Sequence, residues 1–191
     1  MSTVPKSSIT PEQYLEMERK GEYRNEYYNG EIFALAGARR PHNLIKMNVG
    51  VQLHQQLRSR PCEVLTSDQR VWVPATGFYT YPDLVVVGGE PQFQDRDLDT
   101  LVNPSLIVEI LSPSTEAYDR GRKFGHYRSI ESLQAYLMVA SEAIGAELFV
   151  KQAGGVWALL QEGRRLEDTM ELDAIGCRLK LADAYEKVQL S

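Results

Sequence analysis

The apolar residues of the chain form short, nearly continuous runs that alternate with segments of helical spacing. The strongest runs, at 84–87 and 106–111, consist of Val, Ile and Leu except for Glu109. Runs of this kind are typical of strands buried on both faces, which lie centrally in a sheet covered by helices. Weaker β-like runs occur at 63–66, 70–73, 135–139, 146–150 and 156–160. The pattern therefore predicts an α/β protein built on a central sheet.

The N-terminal part of the chain carries two strong local signals. Thr10 followed by Pro11 and Gln13 is a capping box with proline at the first helical position, which predicts a short helix ending near Gly21. Asn29-Gly30 stands between two apolar runs, and a type I′ turn needs positive φ at both of its central positions. We therefore expect a β-hairpin that turns at Asn29-Gly30.

Three further helices follow from spacing and from strand breakers. The longest is predicted from residue 42 to about 57, with one packing face made by Leu44, Met47, Val51 and Leu57. A second is expected over 116–129 and a short closing helix over 181–185, whereas residues 163–173 are charged and resemble a loop. With a hairpin turn at Gly154-Gly155, the chain is predicted to be one domain over 1–191. Its core spans about 9–150, and a C-terminal β-hairpin and short helix fill 151–191.

Composition excludes several classes of protein. The chain has 191 residues, of which 43% are hydrophobic, so disordered and low-complexity architectures do not apply. Cys62 and Cys177 form neither a Cys-x-x-Cys motif nor a disulfide framework. No apolar run approaches the ~18 residues of a membrane span, and the N-terminus lacks the apolar core of a signal peptide. We expect a reduced, cytoplasmic protein with no membrane partner.

The formal net charge of −5 argues against a protein whose whole surface coats nucleic acid. It is compatible with an enzyme that has an acidic site and a local basic rim. Cationic side chains do cluster, at Arg39-Arg40, at Arg58 and Arg60, and at 120–128. A solvated helix face explains each cluster equally well.

Two carboxylates interrupt or open the most apolar strands. Glu109 lies within 106–111, and Asp83 opens 84–87. An unpaired buried carboxylate costs several kcal/mol, so such a group is usually paired, bound to a metal or placed at a strand end. Neighbouring strands lie ~4.8 Å apart, and two such acids could share a hard cation, with the Ile110 carbonyl as a further oxygen ligand. The alternatives are a turn cap for Asp83 and a structural salt bridge for Glu109.

Two more residues are candidates on weaker grounds. Lys123, on the predicted helix after Glu109, could orient a water near the metal, although an i, i+4 surface pair with Asp119 is the simpler interpretation. His42 follows Pro41 at a helix start and could approach a phosphate, although a capping or packing role is more common there.

These segments, in this order, resemble the Uma-type restriction endonucleases of the PD-(D/E)XK nuclease superfamily. The resemblance rests on Tyr81-Pro82-Asp83, on 104–115 with Glu109 at its centre, and on Asp119…Lys123…Tyr127. The hairpin around Glu26 and the Pro41-His42-Asn43 segment fit as well, so that it covers about residues 9–150. It implies a restriction-endonuclease-like core, in which helices flank a mixed central β-sheet, with an N-terminal helix and β-hairpin.

The resemblance also implies metal-dependent hydrolysis of phosphodiester bonds. Asp83 and Glu109 would be the metal-binding acids, with Mg²⁺ or Mn²⁺ as cofactor, and Glu26 would be an additional acid from the hairpin. Leu111 stands where the wider superfamily has its lysine, and Lys123 on the helix would replace it.

The leading hypothesis is an endonuclease that acts on DNA, with Arg39, Arg40, His42, Arg120 and Arg122 as candidate backbone contacts and with a homodimer as an expectation for double-strand cutting. The rival is a catalytically degenerate nuclease-fold module that binds nucleic acid or protein without cleavage. A phosphodiesterase that acts on RNA or a small nucleotide is a third alternative.

Overall fold

In the computed structural model, residues 8–190 are described, and they form five α-helices and thirteen strands in the order of a mixed α/β protein. The helices are α1 (Pro11–Lys20), α2 (Arg40–Leu57), α3 (Glu116–Tyr118), α4 (Phe124–Tyr127) and α5 (Leu181–Ala184). The first strands are β1 (Asn25–Tyr28), β2 (Glu31–Ala34), β3 (Cys62–Thr66), β4 (Arg70–Val73), β5 (Phe78–Thr80), β6 (Leu84–Gly88) and β7 (Thr100–Leu101). The later ones are β8 (Leu106–Leu111), β9 (Ala135–Ala140), β10 (Ala146–Lys151), β11 (Trp157–Gly163), β12 (Thr169–Leu172) and β13 (Cys177–Lys180).

The predicted central sheet is confirmed as a six-stranded mixed sheet with the order β11-β10-β9-β8-β6-β3. The β8–β9 pair is parallel and the other pairs are antiparallel. Side chains alternate between the two faces of a strand, so β6 and β8 supply two separate cores. One face packs under α2 and the C-terminal segment, and the other packs under α4 and the second sheet. Both strands are therefore almost entirely apolar.

A second sheet, which the hydrophobic pattern did not separate from the first, has the order β2-β1-β5-β4-β7. It begins with the predicted hairpin, and the turn has the expected geometry, with φ of 49° at Asn29 and 83° at Gly30. The capping box of α1 is also present, with the Thr10 side chain accepting from the Gln13 N–H and Gly21 as the C-cap. This sheet carries β1 across the central sheet and brings Glu26 toward β8.

Helix α2 has the predicted extent but a different packing face. Its buried residues are Ile45, Val49, Leu53 and Leu57, whereas Met47 and Val51 are 66% and 43% exposed. Both series have helical spacing, so periodicity alone could not choose between them. Another side of the helix contacts the C-terminal segment, where the Gln56 side chain donates to the Arg178 carbonyl at 2.8 Å.

The C-terminal region contains one element that the sequence did not predict. Strands β12 and β13 pair as an antiparallel hairpin, although 163–173 had the composition of a loop. Met170, Leu172, Cys177 and Leu179 alternate with exposed polar residues and bury their side chains in the α2 core. The signal was a period-two pattern that the surrounding charges obscured.

The helical segment after β8 runs from Glu116 to Tyr127 as predicted, but its middle turn, Asp119–Lys123, is a π-helix. Such turns are rare and are often found at functional sites. Both ends of this turn, Asp119 and Lys123, are buried, while Arg120, Gly121 and Arg122 are exposed. The π turn therefore places one acid, Asp119, and one amine, Lys123, in the interior.

No helix among residues 8–190 is both long enough and apolar enough to span a membrane. The expectation about a signal peptide falls largely on residues 1–7, which lie outside the described residues.

Gly30 offers a test of the hairpin. A Cβ at this position would stand 2.6 Å from the Ser8 Cβ, at a φ of +83°, which L residues rarely adopt. Gly154 has a φ of +82°, but a Cβ added there would have nothing within 4 Å, and it is therefore the matched control. We expect Gly154→Ala to cost about 1 kcal/mol of unfolding free energy through backbone strain. Gly30→Ala should cost at least about 1 kcal/mol more through the clash, and equal losses in urea unfolding would contradict this.

Candidate active site

The two predicted acids are neighbours because of the register between β6 and β8. Leu84 pairs with Val108 in this antiparallel ladder, which places Asp83 beside Glu109. The Ile110 N–H donates to Asp83 Oδ2 at 2.8 Å, and the Asp83 N–H lies 3.4 Å from Glu109 Oε2. The carboxylates of Asp83 and Glu109 thus stand side by side at the end of β6, and Ile110 binds Asp83 through its N–H.

Glu109 points to the face of the sheet that the helical segment covers. Glu109 Oε1 accepts hydrogen bonds from Lys123 Nζ at 2.8 Å and from the Tyr127 hydroxyl at 2.8 Å. Lys123 therefore does not form the exposed surface pair that its spacing with Asp119 suggested. It is almost fully buried and contacts the strand acid directly.

Glu26 reaches the same lysine from the second sheet. Its Oε1 lies 3.3 Å from Lys123 Nζ and accepts a short hydrogen bond from the Thr80 hydroxyl. Its Oε2 accepts from the Tyr118 hydroxyl at 2.8 Å. Because each oxygen has a hydroxyl donor, the carboxylate of Glu26 is fixed between the two sheets.

Three acids and one amine form what we term the buried charge cluster: Glu26, Glu109, Asp119 and Lys123. Their exposed fractions lie between 2% and 5%, and Lys123 Nζ is 3.7 Å from Asp119 Oδ1. With every member ionised the cluster would carry two excess negative charges. Close like charges in a site of low dielectric repel strongly, so the cluster favours a bound cation or a proton.

The pKa values reflect this imbalance. Burial raises the pKa of Glu109 to about 8, an effect that Lys123 opposes and that Asp119 and Asp83 reinforce. Burial also raises the pKa of Asp119 against the opposing charge of Lys123. For Lys123, burial lowers the pKa, but the charges of the surrounding groups, Glu109 foremost, outweigh it and hold the pKa well above its usual range. Lys123 is therefore cationic at neutral pH.

Asp83 has a different environment at the mouth of the site. His42 Nε2 lies 3.1 Å from Asp83 Oδ2, and Lys46 Nζ lies 4.0 Å from Oδ1. Burial raises the pKa of Asp83, but the hydrogen bond and charge of His42 and the Ile110 N–H outweigh it, so that the pKa lies below its usual value. Donation to Asp83 requires the proton of His42 on Nε2, and Nδ1 is buried without a hydrogen-bond partner in the part of the chain that the structure describes.

A cleft of about 690 Å³ opens over these groups. Its lining includes all four predicted site residues, Glu26, Asp83, Glu109 and Lys123, together with His42. Tyr118, the N-terminal turn of α2 and the 112–115 turn also contribute to its walls. The structure therefore brings the predicted acids and amine together in one solvent-accessible site.

The carboxylates at the cleft suit a hard divalent cation that binds few protein ligands and keeps several waters. Among residues 8–190, no group of three or more His, Cys, Asp or Glu side chains is arranged to hold a metal ion. Mg²⁺ usually binds through one or two carboxylates and keeps several waters. Asp83 and Glu109, which are adjacent at an open cleft, fit that mode, whereas they would not form a cage of protein ligands alone.

The predicted arginines are distributed unevenly around the site. Arg39 lines the cleft and is 88% exposed, and Arg40 is exposed in the first turn of α2. Arg120 binds both Glu147 oxygens at 2.6 and 2.9 Å and also pairs with Glu116, so its charge is already satisfied. Arg122 lies over the Tyr28 ring at 4.9 Å, outside the cleft lining.

Sequence reasoning missed several residues that complete the site. Lys46, Tyr118 and Tyr127 were not among the predicted site residues. The i, i+4 spacing of His42 and Lys46 was a usable signal, because it places both on one side of α2. Thr80 offered no signal, since only the pairing of β1 with β5 brings it to Glu26.

The chain is similar to one known family and to two cyanobacterial proteins. Residues 11–182 match the family model "Uma2: Putative restriction endonuclease". The chain is 35% identical to the protein sll1609 of Synechocystis sp. PCC 6803 over 153 residues, which are 80% of this chain and 86% of that protein. It is also 35% identical to slr1290 of the same organism over 174 residues, covering 91% and 90% of the two chains.

A solved structure shares the fold. It is described as "a putative nuclease belonging to DUF820" from Anabaena variabilis ATCC 29413 and matches with a TM-score of 0.74 at 14% identity. The match covers 93% of this chain and 98% of the other, so the nuclease-like fold extends over nearly the whole molecule. With the family model spanning most of its length, the chain belongs to the Uma2 family.

Proposed function

We propose that this protein is a metal-dependent endonuclease that hydrolyses phosphodiester bonds in DNA. The observation that carries the proposal is the convergence of Asp83, Glu109 and Lys123 at one open cleft, although they come from two strands and a helix. Paired carboxylates that bind a cation, beside a fixed ammonium, suit the charge that develops on a phosphate under attack. Family membership and fold support the broader assignment to nucleases.

Mg²⁺ or Mn²⁺ is the proposed cofactor, with Asp83 and Glu109 as its protein ligands, Glu26 assisting and the Ile110 carbonyl as a further oxygen donor. When bound, such a cation lowers the pKa of a coordinated water and offsets charge on the scissile phosphate. The excess negative charge of the buried charge cluster favours cation binding at this point, and the cation would displace the proton that the raised pKa of Glu109 retains there.

Lys123 has a defined role in this scheme. Its pKa lies well above the usual range, so it donates hydrogen bonds and does not take a proton from water. Its ammonium can hold a nucleophile or a phosphate oxygen while its contact with Glu109 fixes the orientation. The proton of the attacking water therefore leaves to a group other than Lys123.

His42 and Tyr118 support the acids rather than the substrate. His42 donates to Asp83 Oδ2, which, together with the Ile110 N–H, fixes one oxygen of that carboxylate. Tyr118 does the same for Glu26. Arg39 and Arg40, both exposed near the cleft, remain candidates for backbone phosphates, and Arg122 is a more distant one.

The test uses the purified full chain and closed circular DNA, in single-stranded and in supercoiled duplex form, so that any cut is endonucleolytic. We expect cleavage with Mg²⁺ or Mn²⁺ and none with EDTA. Asp83→Asn should lower the rate at least about 100-fold, since even outer partners of metal ligands contribute about 10–100-fold. Asp68→Asn is the matched control, because Asp68 lines the same cleft from the turn between β3 and β4, but its side chain is 81% exposed and pairs with Arg24.

Two outcomes would contradict the proposal. Equal cleavage by the wild type and by Asp83→Asn would assign the activity to another site or to a contaminant. Absence of both cleavage and Mn²⁺ binding by calorimetry would favour the catalytically degenerate module.

A further inference from the structure

An exposed aromatic side chain stands at the rim of the cleft. Tyr23 is 75% exposed, lies in the link between α1 and β1, and belongs to the cleft lining. Leu35, 37% exposed, lines the cleft as well, and its N–H donates to the neighbouring Arg24 carbonyl at 3.1 Å. The cleft thus has an apolar and aromatic rim above an acidic floor.

The backbone that carries Tyr23 is held rigidly. The Asn25 side-chain amide donates to the Tyr23 carbonyl at 3.1 Å and to Glu18 Oε2 at 2.9 Å. Glu18 is only 2% exposed and also accepts from the Asn25 N–H at 2.8 Å. An aromatic ring on a fixed backbone binds a flat ligand at low entropic cost, because little ordering is needed on binding.

The charge of the cleft does not suit a long duplex. Of the described residues that line it, seven are acidic and four are Lys or Arg. Lys123 is buried within the charge cluster, where it can reach only a phosphate at the acids, and Arg24 lies 3.5 Å from Asp68. Arg39 lies 3.7 Å from Glu142 but is 88% exposed, and Lys46 lies 4.0 Å from Asp83, so these two are the main cations for other phosphates. Duplex DNA carries a charge about every 1.7 Å, and proteins that grip it typically neutralise about 6–10 phosphates.

Binding of unpaired nucleotides requires fewer cationic side chains than binding of a duplex. Proteins bind single strands by stacking bases on aromatic side chains, with few phosphate contacts per base. A volume of about 690 Å³ lies within the range of clefts that enclose small organic ligands, and so it accommodates one or a few nucleotides.

We propose that the cleft takes unpaired nucleotides of a single-stranded nucleic acid and that one base stacks on Tyr23. This inference rests on the proposed nuclease function and specifies its substrate class. In this proposal Tyr23 is a binding residue that belongs neither to the acidic motif nor to the buried charge cluster.

Binding is measured first, on the Glu109→Gln background so that the probe is not cleaved. The probes are a fluorescein-labelled 12-mer of thymidylate, the same length of uridylate and a 12-base-pair duplex, followed by anisotropy. We expect both single strands to bind more tightly than the duplex, with a logarithmic salt slope between about −1 and −2, since about two phosphates are neutralised. The two single-stranded probes also show whether the site prefers DNA or RNA.

Tyr23→Ala should weaken binding of the single strands by about 5- to 150-fold, which corresponds to the usual contribution of one stacked base. Tyr23→Phe, which keeps the ring, should retain the affinity. Met17→Ala is the matched control, because Met17 is 56% exposed on α1 and does not line the cleft. Since Tyr23 is a surface residue, an unchanged melting temperature is expected for both Tyr23 variants.

Tighter binding of the duplex, or equal affinity of Tyr23→Ala and the wild type for single strands, would overturn the inference. A cleavage assay separates this failure from failure of the proposed function. Efficient metal-dependent cleavage of duplex that is insensitive to Tyr23→Ala would overturn the substrate class and leave the nuclease intact. Stacking on Tyr23 without any cleavage would support the binding site and contradict the nuclease.

Discussion

Replacement of Lys123 by methionine is expected to abolish cleavage and to destabilise the fold by about 3–5 kcal/mol, the usual cost of breaking a buried ion pair by removing one partner. Methionine has a similar length but no charge. The substitution would therefore remove the ammonium that pairs with Glu26, Glu109 and Asp119. The loss should grow at alkaline pH, because burial raises the pKa of Glu109 to about 8 and this carboxyl ionises there. Urea unfolding and the nuclease assay measure the two effects separately.

The control is Lys20→Met. Lys20 and Glu16 form an i, i+4 pair of the same chemical type as Lys123 and Asp119, but their side chains are 73% and 69% exposed. Exposed pairs of this kind contribute about 0.3–0.5 kcal/mol, so this variant should change stability little. The double variant Lys123→Met/Glu109→Gln should recover part of the lost stability while remaining inactive. A Lys123→Met protein as stable as the wild type would show that the lysine is not the counter-ion of the cluster.

Glu109→Gln is expected to remove cleavage, by about 10²–10³-fold or more, and yet to stabilise the metal-free protein. The amide keeps the shape of the side chain and removes one of the crowded negative charges. Stabilising substitutions in strained active sites typically contribute about 0.5–2 kcal/mol. Loss of activity with a gain of stability would therefore distinguish this residue from Lys123, whose loss lowers both.

The raised pKa of Glu109 also predicts how the difference in stability between the wild type and Glu109→Gln changes with pH. Burial raises the pKa of Glu109 to about 8 in the folded state, whereas an unfolded Glu titrates at about 4.3. The folded state therefore holds a proton that the unfolded state has released. The contribution to stability is fully present below the unfolded pKa and is lost as the pH rises toward 8. In EDTA, the wild type should become less stable relative to Glu109→Gln across this window, and a difference that does not change with pH would contradict the assignment.

The individual strands were predictable because strands that are buried on both faces consist almost entirely of apolar residues. The runs at 84–87 and 106–111 are apolar on both faces since each face meets its own core. The hairpin was predictable as well, because Asn29-Gly30 suits positive φ at two successive positions. Helix α2 shows the limit, since two stripes of equal spacing compete and only the contacts of Ile45 and Val49 with the sheet decide which is buried.

The sequence could nominate candidate site residues only where their chemistry conflicts with their surroundings. Glu109 interrupts an apolar strand, and that conflict made it a candidate before any coordinates. Lys123 was favoured only by family resemblance, because its spacing with Asp119 fits a surface pair equally well. Thr80 and Tyr118 were not predicted as partners of Glu26, because their contacts depend on how two sheets approach each other.

The sequence by itself determined the central strands and the main helices, the turn at Asn29-Gly30, and the position of two carboxylates in or beside strands that exclude water. Those properties depend on the conformational propensity and the hydrophobicity of each residue, and both can be assessed from the sequence alone. Only the tertiary structure decided that the β6–β8 register sets Asp83 against Glu109, that a π turn buries Lys123, and that Tyr23 stands at the cleft rim. Register and sheet packing minimise the free energy of the whole chain, and distances between residues far apart in sequence follow from that minimum alone.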